Sequence, residues 1–189
     1  MNNIVYPDYD NSILNTIAAV MKHYGVDTKY NENQKLMELL DKNYKNVVLM
    51  IFDGMGVDIL ESLLQKDDIL RANITAEVTS VYPSTTTAAM TAYYSGLSPF
   101  EHGWLGWSLY FKEYGRCLDT FINRDSFSGE YLDMPNAAYY LMPYETVFDK
   151  IEKAAKGKTS CHIIQPKGIK WYGKSAWHGV SSTKEMCNL

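Results

Sequence analysis

The sequence predicts an α/β fold, a mostly parallel sheet flanked by helices, and three observations lead there. Asn46 to Phe52 is an apolar, β-branched run without alternation, the pattern of a strand covered on both faces. Asp53-Gly54-Met55-Gly56 turns the chain at its end, and Val57 to Gln65 follows as a helix, which makes a strand-turn-helix unit. Thr75 to Val81 and then Thr86 to Ser95 repeat that order.

The remaining elements follow from periodicity and punctuation. Ser12 to Tyr24 puts Ile13, Leu14, Ile17, Val20, Met21 and Tyr24 on one helical face, and Gly25 stops it. Asn33 to Leu40 is a second helix, with Leu36, Met37 and Leu40 as its stripe. Tyr82-Pro83-Ser84 breaks the Thr75 to Val81 strand, because proline drives the residue before it toward extended backbone. The helix from Thr86 ends at Gly96. Ser98 to Trp107 is a loop rich in Pro, Gly and Trp. Leu109 to Phe121 is aromatic and forms one or two strands, and Asn123 to Pro143 is irregular. Tyr144 to Ala155 is a helix with Val147, Phe148, Ile151 and Ala155 on one face. Ser160 to Ile164 is a further strand, and the last six residues, Lys184 to Leu189, read as the start of a helix. The whole is one α/β domain over residues 1–189.

Charge and composition exclude several classes. Eighteen Lys and Arg against 22 Asp and Glu give a net charge of −4, so no bulk basic field holds a nucleic-acid duplex. The one dense basic stretch, Lys150 to Lys158, is a helix face and its end. The longest apolar run, Val47 to Phe52, is far short of the ~20 residues a membrane-spanning helix needs. Met1 to Asp10 holds two acids and no Lys or Arg, which is not a signal peptide. Cys117, Cys161 and Cys187 are widely spaced and odd in number, as expected of free thiols in the cytoplasm.

Two groups sit where α/β folds bind ligands, beyond the carboxyl ends of strands. Asp53 ends the apolar run. A carboxylate there is costly unless paired or bound to a cation, yet Asp-Gly is also an ordinary turn dipeptide, the simpler reading on spacing alone. Ser84-Thr85-Thr86-Thr87 precedes a helix. Such a run makes a good N-cap. It also offers a hydroxyl nucleophile where helix N–H groups favour a phosphate. An alcohol at neutral pH needs a base or a metal ion to react, and Asp53 is placed to hold one.

The stretch Val47-Val-Leu-Met-Ile-Phe-Asp-Gly-Met-Gly56, followed by Ser80-Val-Tyr-Pro-Ser-Thr-Thr-Thr-Ala-Ala-Met-Thr-Ala-Tyr-Tyr-Ser-Gly-Leu-Ser-Pro-Phe-Glu-His-Gly-Trp104, resembles the alkaline phosphatase superfamily. Within it the stretch is similar to the type I phosphodiesterase/nucleotide pyrophosphatase branch. The resemblance implies the alkaline phosphatase-like fold and a two-metal phosphoryl-transfer site, usually zinc. Asp53 matches the first acidic metal ligand. Thr86, third after Pro83, matches the threonine nucleophile, which also contacts a metal, with Thr85 and Thr87 as neighbouring registers. His102 matches a position that shapes the loop. The implied reaction is hydrolysis of a phosphoric ester or anhydride, such as a small phosphate ester or nucleotide. A covalent phosphothreonine forms and is hydrolysed by water on the second metal.

The chain departs from that pattern in two ways. Many relatives carry an Asn three residues after the nucleophile, where this chain has Ala89, which keeps a phosphonate or sulfate-ester hydrolase of the same superfamily open. The family also completes its site with an Asp-x-x-x-His, an Asp-His pair and a final His. After Trp107 the histidines are His162 and His178, and neither pattern occurs. Packing or surface positions are the expected roles of these two. Both metal ions cannot then be held by the residues present. The 189 residues are therefore expected to be the N-terminal part of a longer catalytic domain, or a non-catalytic, anion-binding module. Trp104, Trp107, Trp171, Tyr172 and Trp177 are expected to pack loops, with a substrate crevice as the alternative.

Overall fold

A computed structural model describes residues 6–42, 44–133, 135–169 and 171–189. Residues 1–5 of the Met1 to Asp10 segment, and residue 134 of the irregular stretch, lie outside the described residues.

Helix α1 (Ile13–His23) starts at a capping box. The Ser12 N–H donates to Asn15 Oδ1 at 2.6 Å, and Ser12 Oγ accepts from the Leu14 N–H at 3.2 Å. Asn15 is buried and also ties down the next connection: its Nδ2 donates to the Asn31 carbonyl at 3.0 Å, and its carbonyl accepts from the Asn33 N–H. That anchors the entry to α2 (Gln34–Leu40), which Asn33 caps through Leu36 N–H. Both helices lie where their apolar stripes place them.

The segment after α2 differs from expectation. Asn46 to Phe52 joins no ladder among the described residues, and its side chains face solvent, with Val48 79% and Met50 60% exposed. A strand exists only through its partners' N–H and C=O groups, and none of the described residues supplies them to this run. The run leads to α3 (Val57–Leu63) and the short α4 (Ile69–Ala72). Thr75 to Val81 keeps one vestige of parallel pairing. Thr79 bridges Ser12, donating to the Asn11 carbonyl and accepting from the Ile13 N–H, both at 3.0 Å.

Helix α5 (Thr86–Ser95) is the buried pivot, packed against α1, the turn α6 (Pro99–His102) and α8 (Val147–Ala155). Its inward residues Thr87, Ala88, Thr91, Ala92 and Ser95 are small and fully buried, which lets neighbouring backbones come close. Gly96 ends it at φ +69°, where a Cβ would lie 2.8 Å from Met21 Sδ and 3.3 Å from Val147 Cγ2. Lys150 Nζ donates to the Ser95 carbonyl at 2.9 Å, so α8 closes the carbonyl end of α5.

The expectation of a mostly parallel sheet is corrected. Strands β1 (Ser108–Phe111), β2 (Arg116–Asp119) and β3 (Arg124–Asp125) form an antiparallel sheet in the order β1-β2-β3, the first two from the aromatic stretch and the third from the stretch expected to be irregular. Short loops favour this, because neighbouring strands joined by a few residues can only run antiparallel. Buried Asp119 stitches the sheet. It accepts from Ser108 Oγ at 2.6 Å, Ser126 Oγ at 2.8 Å and Arg124 Nη2 at 2.6 Å. Apart from the Ser12–Thr79 bridge, the parallel pairing among the described residues lies between β4 (His162–Pro166) and β5 (Ala176–Val180), with His162 opposite Ala176 and Ile164 opposite His178. β4 begins two residues later than the expected Ser160 start and runs to Pro166. β5 and the helix α7 (Ala137–Leu141) had no strong sequence signal, while α9 (Thr183–Met186) falls in the closing segment.

The largest core cluster is aromatic. Trp104 is 1% exposed, lies 5.7 Å from the Phe121 ring and 6.0 Å from the Tyr144 ring, and donates Nε1–H to the Met142 carbonyl at 3.0 Å. No helix of the described residues is long and apolar enough to cross a membrane, and the three cysteines are free thiols.

The α5 terminus yields the first expected outcome. Gly25 and Gly96 both have positive φ, but a Cβ at Gly25 meets nothing within 4 Å. Gly25→Ala is expected to cost about 1–2 kcal/mol of backbone strain. Gly96→Ala adds a further 1–3 kcal/mol or so of overpacking. Urea unfolding with an unchanged slope measures both; equal midpoints for the two variants would contradict the packing account.

Candidate active site

The two expected site residues come from separate segments and meet. Asp53 ends the apolar run, in a turn completed by Gly54 at φ +68°. The turn reading of Asp-Gly is therefore right for the backbone. The side chain does more. Thr86, the first residue of α5, donates its hydroxyl to Asp53, with Oγ1 3.3 Å from both Oδ1 and Oδ2. The equal distances place the hydroxyl on the bisector of the carboxylate, and the contact is at the long end of hydrogen bonding. Asp53 is exposed and Thr86 half-buried, so solvent and solutes reach the pair.

The neighbouring hydroxyls are disposed differently. Thr85 stands at the N-cap, yet makes no side-chain capping bond. Thr87 is 0% exposed, with Oγ1 turned into the core and lacking a hydrogen-bond partner. Ser84 is exposed at the end of a groove of about 410 Å³ that also involves Tyr6, Asn11, Glu77, Thr79 and Tyr82. Of the three threonines, Thr86 is the one whose hydroxyl contacts the carboxylate. The first-turn N–H groups of α5 have no intrahelical acceptor, and the helix is ten residues long, so its positive end bears on the same spot. Ala89, whose N–H donates to the Thr85 carbonyl at 2.9 Å, presents only a methyl group.

His102 holds this turn in place. Its Nδ1 accepts the Trp104 N–H at 3.0 Å, which puts the proton on Nε2, where it faces the Ala88 carbonyl at 3.2 Å. The side chain thus ties the α6 turn to the first turn of α5 and is committed on both nitrogens. Burial pushes its pKa down to about 4, against the opposing pull of the Ala88 carbonyl and of Glu101. Glu101 in turn braces α6. Burial alone would raise its pKa, but hydrogen bonds from Lys29, Tyr30 and Ser98 outweigh that and hold it at about 2. Tyr30 Oη donates to Glu101 Oε2 at 2.6 Å, and Lys29 pairs with the other oxygen.

The other sequence candidates fall elsewhere. Trp104, Trp171 and Tyr172 surround a void of about 10 Å³, room for one water at most, so they pack the core. Trp107 and Trp177 are partly exposed. His162 and His178 do not approach as ligands of the Asp53 site, but they contact each other across β4 and β5 at 3.0 Å. Sequence reasoning treated them singly, because β5 carries no strand signal and their pairing is set by register. Among the described residues no group of three or more His, Cys, Asp or Glu comes together as a metal cage. Asp53 and Thr86 supply oxygen donors that suit one side of a divalent cation's shell.

A model of the type I phosphodiesterase / nucleotide pyrophosphatase family matches residues 47–182, a span that takes in Asp53, Thr86 and His102. No curated protein and no solved structure matches the chain.

The His102 geometry sets a pH dependence. The unfolded chain binds a proton near the ordinary value of 6.5, and the folded chain only near 4, so this contribution is present above pH 6.5 and is lost as pH falls toward 4. The full loss is about 3 kcal/mol. Between pH 7 and 4.5 the wild type is expected to lose more unfolding free energy than His102→Asn, and the His102 imidazole resonances to keep neutral positions down to pH 5. Equal pH slopes, or an imidazole that titrates near 6.5, would contradict it.

Proposed function

Because the chain belongs to the type I phosphodiesterase/nucleotide pyrophosphatase family, we propose that Thr86 is the nucleophile of a metal-dependent phosphoryl-transfer site and that Asp53 is its first metal ligand. The family's activity is hydrolysis of phosphodiester and nucleotide pyrophosphate bonds. The observation that carries the assignment of residues is the contact of Thr86 Oγ1 with both Asp53 oxygens at the first residue of α5.

In this reading the substrate's phosphoryl oxygens lie against the N–H groups of the first turn of α5, where the helix dipole and unpaired donors favour an anion. Thr86 Oγ attacks phosphorus in line with the leaving oxygen. The Oγ–P bond forms, the bond to the leaving alkoxide breaks, and the hydroxyl proton passes to bulk water. Water then cleaves the Oγ–P bond and restores the threonine. Asp53 and Thr86 would hold a divalent ion, zinc by resemblance, which when bound lowers the hydroxyl pKa and offsets charge on the phosphoryl group. A second ion needs donors beyond those two. His102 is a positioning residue, since both its nitrogens are occupied by backbone groups.

One observation favours a neighbouring substrate class. The methyl of Ala89 offers no hydrogen bond to a phosphoryl oxygen, so a phosphonate or sulfate ester is the second reading. Turnover of matched phosphodiester, phosphomonoester, phosphonate and sulfate esters separates the two.

Thr86→Ala is expected to lower kcat by about 10³-fold or more at saturating zinc. Thr86→Ser is expected to keep measurable turnover. Steady-state kinetics with metal analysis checks both. Near wild-type turnover by Thr86→Ala would sink the assignment.

A further inference from the structure

The contact between His162 and His178 is a built feature of the parallel ribbon. The register sets Ile164 opposite His178 and His162 opposite Ala176, so the two imidazoles lie diagonally on one face. Their facing atoms, His162 Nδ1 and His178 Nε2, are 3.0 Å apart. The ring centres are 5.3 Å apart and the planes 22° from parallel. The nitrogens are much closer than the ring centres, so the rings meet edge to edge, with one nitrogen donating to the other.

The ribbon that carries them is braced from both ends. Tyr94 Oη donates to Gln165 Oε1 at 2.8 Å, joining β4 to α5. Asp149 Oδ1 on α8 accepts from the Lys174 N–H at 2.8 Å and the Ser175 N–H at 3.1 Å, which fixes the entry to β5. His162 is exposed and His178 half-exposed, so an ion reaches them from solvent. Two nitrogens each 2.0–2.1 Å from one zinc sit roughly 2.9–3.4 Å apart at angles from square to tetrahedral. The observed spacing falls in that range, the ribbon fixes the two strands that carry the rings, and a rotation of each exposed ring turns its facing nitrogen from its neighbour toward a shared ion.

We propose that His162 and His178 form a two-imidazole site for a late first-row divalent cation, zinc among them, separate from Asp53 and Thr86. Neutral imidazole is the ligand type such ions favour. In the neutral pair one ring carries its proton on the facing nitrogen. Capture of the ion moves that proton, through water, to the ring's other nitrogen, and both facing lone pairs then bind the metal. No net proton is released. The ion's remaining positions stay open to water or to a donor from solution. The site rests on the β4–β5 register alone and stands whether or not Thr86 is a nucleophile.

The test is a zinc titration of the 189-residue protein followed by long-range ¹H–¹⁵N correlation of its four histidine side chains. The expected result is that Nδ1 of His162 and Nε2 of His178 move to metal-bound positions together, at one common midpoint, while His102 does not move. His162→Gln and His178→Gln, each checked for folding by circular dichroism, should each weaken zinc at the remaining imidazole by about tenfold or more. Wild-type spectra in which the pair keeps its shared N–H signal at saturating zinc would overturn the proposal. So would His162 and His178 shifting with unrelated midpoints, each unaffected by loss of the other. Zinc binding elsewhere, at Asp53, leaves these resonances still and is thereby distinguished.

Discussion

The close packing of α5 is the constraint on which the rest of the molecule depends. Its inner face is built from Thr87, Ala88, Thr91, Ala92 and Ser95, side chains short enough for α1, α6 and α8 to approach it on different sides. Gly96 extends the same logic past the helix end, where any Cβ would meet Met21 and Val147. Close packing on several sides opposes sliding or rotation of the helix. The position of its first residue is therefore fixed by the core, and that residue is Thr86. The placement of the Thr86 hydroxyl at the surface is inherited from packing inside.

The supports around that first turn share one pattern. His102 spends both ring nitrogens on backbone, bridging Trp104 and Ala88. Glu101 gathers Ser98, Tyr30 and Lys29. Asn15 links α1 to the entry of α2. Each is a polar side chain that joins segments distant in sequence by satisfying buried or half-buried groups, which fixes orientation more than it adds net stability. The Asp53 side is less constrained: its carboxylate is exposed and the apolar run before it has no ladder partner among the described residues. The candidate site thus pairs a firmly packed hydroxyl with a carboxylate on a lightly held segment.

The helices α1, α2, α5 and α8 were legible because their periodicity and punctuation are local: Ser12, Asn33 and Gly96 mark ends that the structure keeps, while α8 starts at Val147, three residues after the expected Tyr144. Thr86 and Asp53 were legible through motif and chemistry, and the structure places them in contact. The sheet was not. Residues 46–52 carry every intrinsic mark of a central strand, yet strand formation depends on partners the run itself does not specify. β5 is short and contains Ala176 and Gly179, both depleted in strands, and forms because β4 offers an edge. The meeting of His162 with His178 followed from that pairing and was invisible for the same reason. His102 gave a motif signal, but its two backbone partners appear only when α6 packs on α5.

The central claim is that the Thr86 hydroxyl takes the phosphoryl group. Trapping that bond tests it most directly. The protein would be supplied with zinc and an aryl phosphodiester, quenched in acid during turnover and mapped by peptide mass spectrometry. The account predicts a phosphoryl ester on Thr86, carrying the part of the substrate that did not leave. Turnover accompanied by an adduct on Ser84, Thr85 or any other residue would contradict it.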